Sequence, residues 1–337
     1  MLRVIYGGSP AASAKSLELI LKDSAMSQNV PEQAYKIVGI LTNPPTPHGR
    51  HKELIPTEVE HYTRIWNEAR EDNIQILTPE HIGSEQREII AQLKPDIFVC
   101  FAYGHIVGPK FFSLFKFGGI NLHPSLLPKY RGATPVNACI LNQDTETGFS
   151  VQKMSEGIDE GDIIFQQKIG LTGTETAEQI LNGASIHGGI AITNILRQIA
   201  QTNTLPESFK QTGLPSYCSH IRKEDGKINW KDSAEHIDAQ IRAYTPWPGT
   251  YTEVNGVQLR ILKAAAASKV ALQDNSVPKD TAAVAGTVLD YNKHRGILIQ
   301  TGKGILIATE LQWQSKKAMD YKSFMNGARN FVGTILG

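Results

Sequence analysis

Asn121 and His123 stand one residue apart in GINLHPSLLPKYRG, where an apolar run breaks into a proline-rich turn. Side chains at i and i+2 of a strand share a face, so this amide and imidazole can converge on one small group. A carbonyl oxygen suits them, because both can donate to the oxyanion that develops as a nucleophile adds to a carbonyl carbon. Such chemistry wants a third group, to charge the imidazole or to move a proton. The stretch SEGIDEGDII offers Glu156, Asp159, Glu160 and Asp162 in a turn between two strand-like runs. A buried carboxylate beside His123 is expected to raise its pKa and favour the protonated donor. The same residues also suit a structural role, with Asn121 tying a loop, His123 satisfied in the core and the acids solvated.

The elements around these residues must position them. In the first 200 residues, strand-like runs at 2–8, 35–42, 73–78, 96–104, 118–123, 149–154 and 162–169 alternate with helical stretches near 11–23, 84–93, 134–143 and 174–200. Ser9 and Pro10 are expected to cap and open the first helix. The pattern predicts an α/β fold, a Rossmann-like, mainly parallel sheet with helices on both faces. Ligands in such sheets bind beyond the carboxyl ends of the strands, where Asn121, His123 and the pair Tyr103-Gly104 fall. NPPTPHGRHKELIP (43–56) reads as a polar, proline-restricted loop. Residues 202–216 read as a linker between a domain over 1–201 and another over 217–337. The second carries a helix near 232–243, several short strands with Gly and Asn turns, and a closing helix over 316–329. It is expected to be a smaller antiparallel β-barrel, OB-like in kind.

Composition narrows the classes. At 337 residues, 41% hydrophobic and 20% charged, the chain suits a soluble protein of two domains. No apolar run nears the roughly 18 residues of a membrane span, and the start does not read as a signal peptide. Three cysteines with no C-x-x-C pair favour a reducing compartment, so a cytoplasmic protein is expected. YGGSPAAS has Ser9 and Ala12 where a dinucleotide fingerprint needs glycines, and no NAD is expected. No histidine sits in H-E-x-x-H, and His48 and His51 read as a solvated surface pair, so no metal is expected. Residues 207–337 hold 17 Lys+Arg against 12 Asp+Glu, although the whole chain has 34 against 33. A basic C-terminal part beside an acidic N-terminal part points to a polyanionic partner.

N-x-H-P-S-L-L-P-x-x-R-G, followed 38 residues after its Asn by the Asp of I-D-E-G-D, resembles the folate-dependent formyltransferases. IYGGSP, FAYGHIVGPK, ETGFSVQKM, INWKDSAEHIDAQIRAYTPWPGTY and KKAMDYKSFMNGAR also have counterparts, in order, in the branch that acts on methionyl-tRNA. The resemblance implies that Asn121, His123 and Asp159 are the catalytic trio. It implies 10-formyltetrahydrofolate as formyl donor, contacted by Ser125, Leu126, Leu127 and Pro128 and by a loop with Tyr103 and Gly104. The acceptor it implies is the α-amine of initiator methionyl-tRNA, and a monomer with no membrane association is expected. Arg50 and Lys52 match the family's tRNA-reading loop, while Thr46 stands where a basic residue is usual. A glycinamide ribonucleotide or sugar-nucleotide acceptor, or an inactive RNA-binding relative, is the alternative.

The basic C-terminal part is testable. The affinity of the full chain for initiator tRNA is expected to fall steeply and log-linearly with salt, as counterion release demands. A filter-binding series across salt concentrations checks this, and a flat response would remove the phosphate contacts from the account.

Overall fold

The computed structural model describes every residue except 49–51, 271–280 and 329. In chain order the first elements are β1 (Leu2–Gly7), α1 (Ala11–Ser27), β2 (Tyr35–Leu41), β3 (Thr46–His48), β4 (Glu53–Ile55), α2 (Glu58–Arg70), β5 (Gln75–Leu77) and α3 (Ser84–Gln92). Then follow β6 (Ile97–Cys100), α4 (Pro109–Phe112), β7 (Gly119–His123), β8 (Arg131–Gly132), α5 (Pro135–Leu141), β9 (Glu146–Lys153), β10 (Ile163–Gly170), α6 (Ala177–Thr202) and β11 (Tyr217–Cys218). The chain forms two compact units. The first comprises Met1–Pro135, Glu146–Gly170 and Leu181–Cys218, and the second Val136–Thr145, Leu171–Ile180 and Ser219–Gly337.

The first unit is built on a seven-stranded sheet in the order β10-β9-β7-β6-β1-β2-β5. Neighbours from β7 to β5 are parallel, whereas β9 runs antiparallel to β7 and β10 antiparallel to β9. Parallel strands covered on both faces need apolar residues on both, and IFVC of β6 is buried throughout. One face packs Tyr6, Val99 and Leu122 against Leu17 and Ile20 of α1 and Leu196 and Ile199 of α6. The other packs Ile5 and Phe98 against Ile90 of α3 and the aromatic pair Phe111 and Phe115. The mainly parallel α/β sheet is the one the sequence predicts.

Several local expectations change. Pro10, not Ser9, occupies the position before α1. Ser9 Oγ instead accepts from the Asn43 N–H at 3.1 Å and from Thr42 Oγ1 at 3.3 Å, tying the ends of β1 and β2. The segment after β2 is a hairpin, with Thr46 paired to Ile55 and Pro47 to Leu54. A two-stranded ribbon accepts proline where its missing N–H would face solvent, which is why the prolines conceal it. Helix α2 has no counterpart among the expected helices, because only Val59, Glu60, Thr63 and Trp66 are buried along it. Residues 202–216, read as a linker, lie within the first unit. Phe209 exchanges backbone hydrogen bonds with Ile163, and the Ser216 N–H donates to the Pro128 carbonyl.

The second unit holds α7 (Ala234–Tyr244), β12 (Thr250–Val254), β13 (Val257–Ala266), α8 (Ala267–Val270), β14 (Val288–Asn292), β15 (Gly296–Gln300), β16 (Ile305–Trp313), β17 (Met319–Asp320) and α9 (Tyr321–Gly327). Its antiparallel sheet runs β12-β13-β16-β15-β14, with β17 added beside β16. Ile237 and Ile241 of α7 pack against Leu259, Ile261, Ile299 and Leu311, with Trp230 and Phe324 in the same core. KKAMD, expected to be helical, is irregular through Ala318 and then forms the short strand β17. Asp320 then caps α9 by accepting from the Lys322 and Ser323 N–H groups. No helix among the described residues is long and apolar enough to cross a membrane.

Strand alternation in β7 gives a measurable consequence. Leu122 lies between Asn121 and His123, faces the core and is 1% exposed. Leu122→Ala is expected to lower the unfolding free energy by about 2–5 kcal/mol, the usual cost of a buried leucine. Urea unfolding of the full chain measures it.

Candidate active site

The site begins at the carboxyl end of β7. In the register of the sheet Asn121 lies opposite Cys100 on β6 and opposite Gln152 on β9, while His123 lies opposite Ser150. Asn121 and His123 therefore share a face, with Leu122 on the other. Across that face comes the turn between β9 and β10, which carries Asp159 in a left-handed conformation at φ +56°. Of the four acids in this stretch, Asp159 is the one whose carboxylate meets both residues.

Its oxygens are heavily partnered. Oδ1 accepts from Gln152 Nε2 at 2.7 Å and from Asn121 Nδ2 at 3.3 Å. Oδ2 accepts from the Gly132 N–H at 2.8 Å and lies 3.4 Å from His123 Nδ1. Gly132 has φ +108°, and a Cβ there would run into the Cys218 carbonyl. Only glycine brings that N–H onto the carboxylate. Nδ2 of Asn121 carries two hydrogens, and Asp159 takes one of them.

His123 is 4% exposed. Its Nε2 lies 2.8 Å from the Tyr130 carbonyl, which only accepts, so Nε2 carries a hydrogen. A neutral ring then has its lone pair on Nδ1, facing Asp159 Oδ2. Burial pulls the His123 pKa below its ordinary value, outweighing the upward pull of Asp159 and of the Tyr130 carbonyl. The sequence suggested the reverse, a carboxylate raising the imidazole. The carboxylate does act in that direction, but desolvation of the ring is the larger effect. With both ring nitrogens facing protein groups, Asn121 is the trio's uncommitted donor.

The other predicted residues divide. Ser125 is fully buried, and its Oγ donates to the Lys129 carbonyl at 2.6 Å, closing the SLLPK turn. Leu127 and Pro128 are buried, and Leu126 is half-buried. Tyr103 and Gly104 follow β6, which ends beside Asn121. Tyr103 is 1% exposed, and its hydroxyl has no partner among the described residues. The buried Oδ1 of Asn43 likewise has none, and Nδ2 of the same side chain lies 3.8 Å from where a Cβ on Gly104 would stand. Orphaned buried polar atoms ask for a partner, and here they flank one loop. Lys52 is exposed, with φ +50°, in the turn of the β3–β4 hairpin. Arg50 lies outside the described residues.

Residues beyond the predicted set complete the site. Ser150 Oγ donates to the Ser125 carbonyl at 2.7 Å and accepts from the Leu127 N–H at 3.2 Å. Gln211 donates to the Asp159 and Gly161 carbonyls, both at 2.8 Å, and accepts from the Arg131 guanidinium. The signal for two of them was present: Ser150 and Gln152 are polar residues alternating with Phe149 and Val151 on a buried strand.

An amide and an imidazole converge on one heavily hydrogen-bonded carboxylate at the carboxyl end of an α/β sheet, an arrangement suited to addition to a carbonyl. The chain belongs to the formyl transferase family, whose model matches residues 13–194, and its C-terminal part matches the formyl transferase C-terminal domain over 220–329. It is 36% identical over 334 residues to a protein named methionyl-tRNA formyltransferase from Treponema denticola, covering 98% of each chain. Among solved structures, an N-formyltransferase of Helicobacter canadensis in complex with folinic acid and dTDP-3-aminofucose shares the fold. The TM-score is 0.61 at 23% identity, over 93% of this chain and 100% of that one. The methionyl-tRNA formyltransferase of Clostridium thermocellum does so with a TM-score of 0.52 at 19% identity, over 79% and 93% of the two chains.

His123 sets a pH dependence. With its pKa below the ordinary value of 6.5 in the fold, the unfolded chain takes up this proton first as pH falls. The stability contributed by the neutral imidazole is complete above that value and is lost as pH falls through it toward the folded pKa. An NMR titration of the ring, assigned with His123→Gln, is expected to show a midpoint below 6.5. Asp159→Asn, which removes the opposing charge, should lower it further, and a midpoint above 6.5 in the native chain would contradict the balance.

Proposed function

We propose that this protein transfers the formyl group of 10-formyltetrahydrofolate to the α-amine of methionine esterified to initiator tRNA. The observation that carries this reading is the convergence of Asn121 and His123 on the Asp159 carboxylate, in a chain matched end to end by a methionyl-tRNA formyltransferase. As the neutral amine adds to the formyl carbon, Asn121 Nδ2 donates its free hydrogen to the developing oxyanion. Loss of one such donor typically costs about 3 kcal/mol in the barrier. The adding nitrogen must lose a proton and the folate N10 must gain one before the C–N bond breaks. The Asp159–His123 pair holds a site for that proton at Oδ2 and Nδ1. Transfer is thus balanced: one N–H is lost at the amine and one is formed at N10.

Ser125, Leu126, Leu127 and Pro128, with Tyr103 and Gly104, are assigned to the folate. The orphaned Tyr103 hydroxyl and Asn43 carbonyl oxygen fit a polar heterocycle with donors and acceptors along its edge. We assign catalysis to the first unit, including Gln211 of the segment before β11, and tRNA binding to the basic C-terminal region, with Arg50 and Lys52 at the acceptor end. The protein acts in the cytoplasm, as a monomer, in translation initiation.

Three acceptors decide the matter: methionyl-tRNA, glycinamide ribonucleotide and a dTDP-amino sugar, each incubated with 10-formyltetrahydrofolate. Formylation of methionyl-tRNA is expected, and preference for either small acceptor would overturn the assignment. Asn121→Ala, His123→Ala and Asp159→Ala are each expected to lower kcat by at least about 10² with the fold intact. Near-normal single-turnover rates in any of them would remove that residue from the mechanism.

A further inference from the structure

We propose that Gln152 is a positioning residue for Asp159: across β7 and β9 its amide fixes which carboxylate oxygen exchanges the proton with His123. This rests on the reading of Asp159 and His123 as the proton relay of formyl transfer.

Gln152 is 2% exposed and lies opposite Asn121 in the β7–β9 register. Both amides donate to the same oxygen, Asp159 Oδ1, and the Gln152 contact is the shorter, 2.7 against 3.3 Å. The direction of its amide follows from its neighbours. Arg131 only donates, so the atom of Gln211 that meets its Nε at 3.2 Å and Nη2 at 2.8 Å is the carbonyl oxygen. The Gln211 nitrogen then faces the Asp159 and Gly161 carbonyls and reaches Gln152 Oε1 at 3.4 Å. Gln152 is left with its nitrogen on Asp159. The hydrogen bonds run from Arg131 through Gln211 and Gln152 to the accepting Asp159 carboxylate, each with one possible polarity.

At its end Oδ1 meets two amide nitrogens, which donate and take nothing back. Oδ2 meets the Gly132 N–H and His123 Nδ1, and Nδ1 alone among these four can both give and accept a proton. The proton therefore passes at Oδ2. Other titratable groups face this carboxylate without competing. Cys100, at the end of β6, is pushed up to about 12 by burial, and burial raises Cys218 of β11 as well. Arg131 is paired with Glu160 at 2.9 Å behind Gln211.

The test compares Gln152→Leu and Gln152→Glu with the native chain by two readouts. The first, NMR titration of His123, needs no activity. Loss of the donor leaves the Asp159 charge less neutralised toward the ring, so the His123 midpoint should move to higher pH in Gln152→Leu. It should move further in Gln152→Glu, which adds a second carboxylate. The second readout is formylation of methionyl-tRNA. KM is expected to stay within about twofold while kcat falls roughly 10–100-fold, the pattern of an interaction felt in the chemical step. The acid limb of kcat should shift in the same order as the midpoints. An unmoved His123 midpoint in both variants, with native melting, overturns the proposal whatever the rates do. Shifted midpoints in a chain that formylates no acceptor would uphold the positioning role and overturn the formyl-transfer reading instead.

Discussion

A carboxylate that is 11% exposed, placed where a parallel sheet ends, has to find its hydrogen bonds within the protein. Hydrogen bonds to charged groups contribute about 1.5–3 kcal/mol each, and an unpaired buried charge costs more than that. Asp159 meets this demand with donors from three elements: Asn121 on β7, Gln152 on β9 and the Gly132 N–H on β8. Each donor constrains its own segment. The antiparallel pairing of β9 with β7 puts Gln152 beside Asn121, and the open side of Gly132 lets the backbone come close. The positive φ of Asp159, an uncommon conformation for a non-glycine residue, is held by these bonds.

The same demand explains the extended segment before β11. It returns along the first unit so that Gln211 can occupy the space behind Asp159, and Ser216 and Cys218 pair with the backbone of 128–133. Arg131 binds Gln211 on one side and Glu160, next to Asp159, on the other. Turn, strand end and returning segment are thus three sides of one polar network. Such a network is worth most when every member is satisfied, and a single deletion propagates through it.

What the sequence discloses about this arrangement follows the range of the forces involved. Period-two alternation within GINLH is local, so the shared face of Asn121 and His123 is legible without a structure. So are the buried strands, because parallel strands covered on both faces announce themselves as continuous apolar runs. Gln152 is legible only as a polar residue alternating on a buried strand, and Gln211 not at all. The role of Gln152 comes from a cross-strand register, and that of Gln211 from contacts 52 and 80 residues away along the chain. The pairing of β3 with β4 is hidden for a different reason: its prolines suppress a strand signal that a solvent-facing ribbon tolerates. The sign of the His123 shift is a contest between burial and charge, and only the depth of the ring in the fold decides it.

The hydroxyls and thiols around Asp159 bear on the proposed mechanism. Attack through a covalent acyl-enzyme needs an activated hydroxyl or thiol within reach of a base. Cys100, the thiol nearest the trio in the sheet register, is pushed up to about 12 by burial and stays neutral near pH 7. Burial raises Cys218 as well. Ser125 Oγ is committed to the Lys129 carbonyl, and Ser150 Oγ to the Ser125 carbonyl. These two hydroxyls and two thiols are therefore spent on structure or protonated. That supports direct transfer, in which the incoming amine is the only nucleophile and the protein supplies an oxyanion donor and one mobile proton. The neutral fraction of an α-amine can meet that requirement, because a pKa of about 7.7–8.0 leaves a usable part of it unprotonated near pH 7.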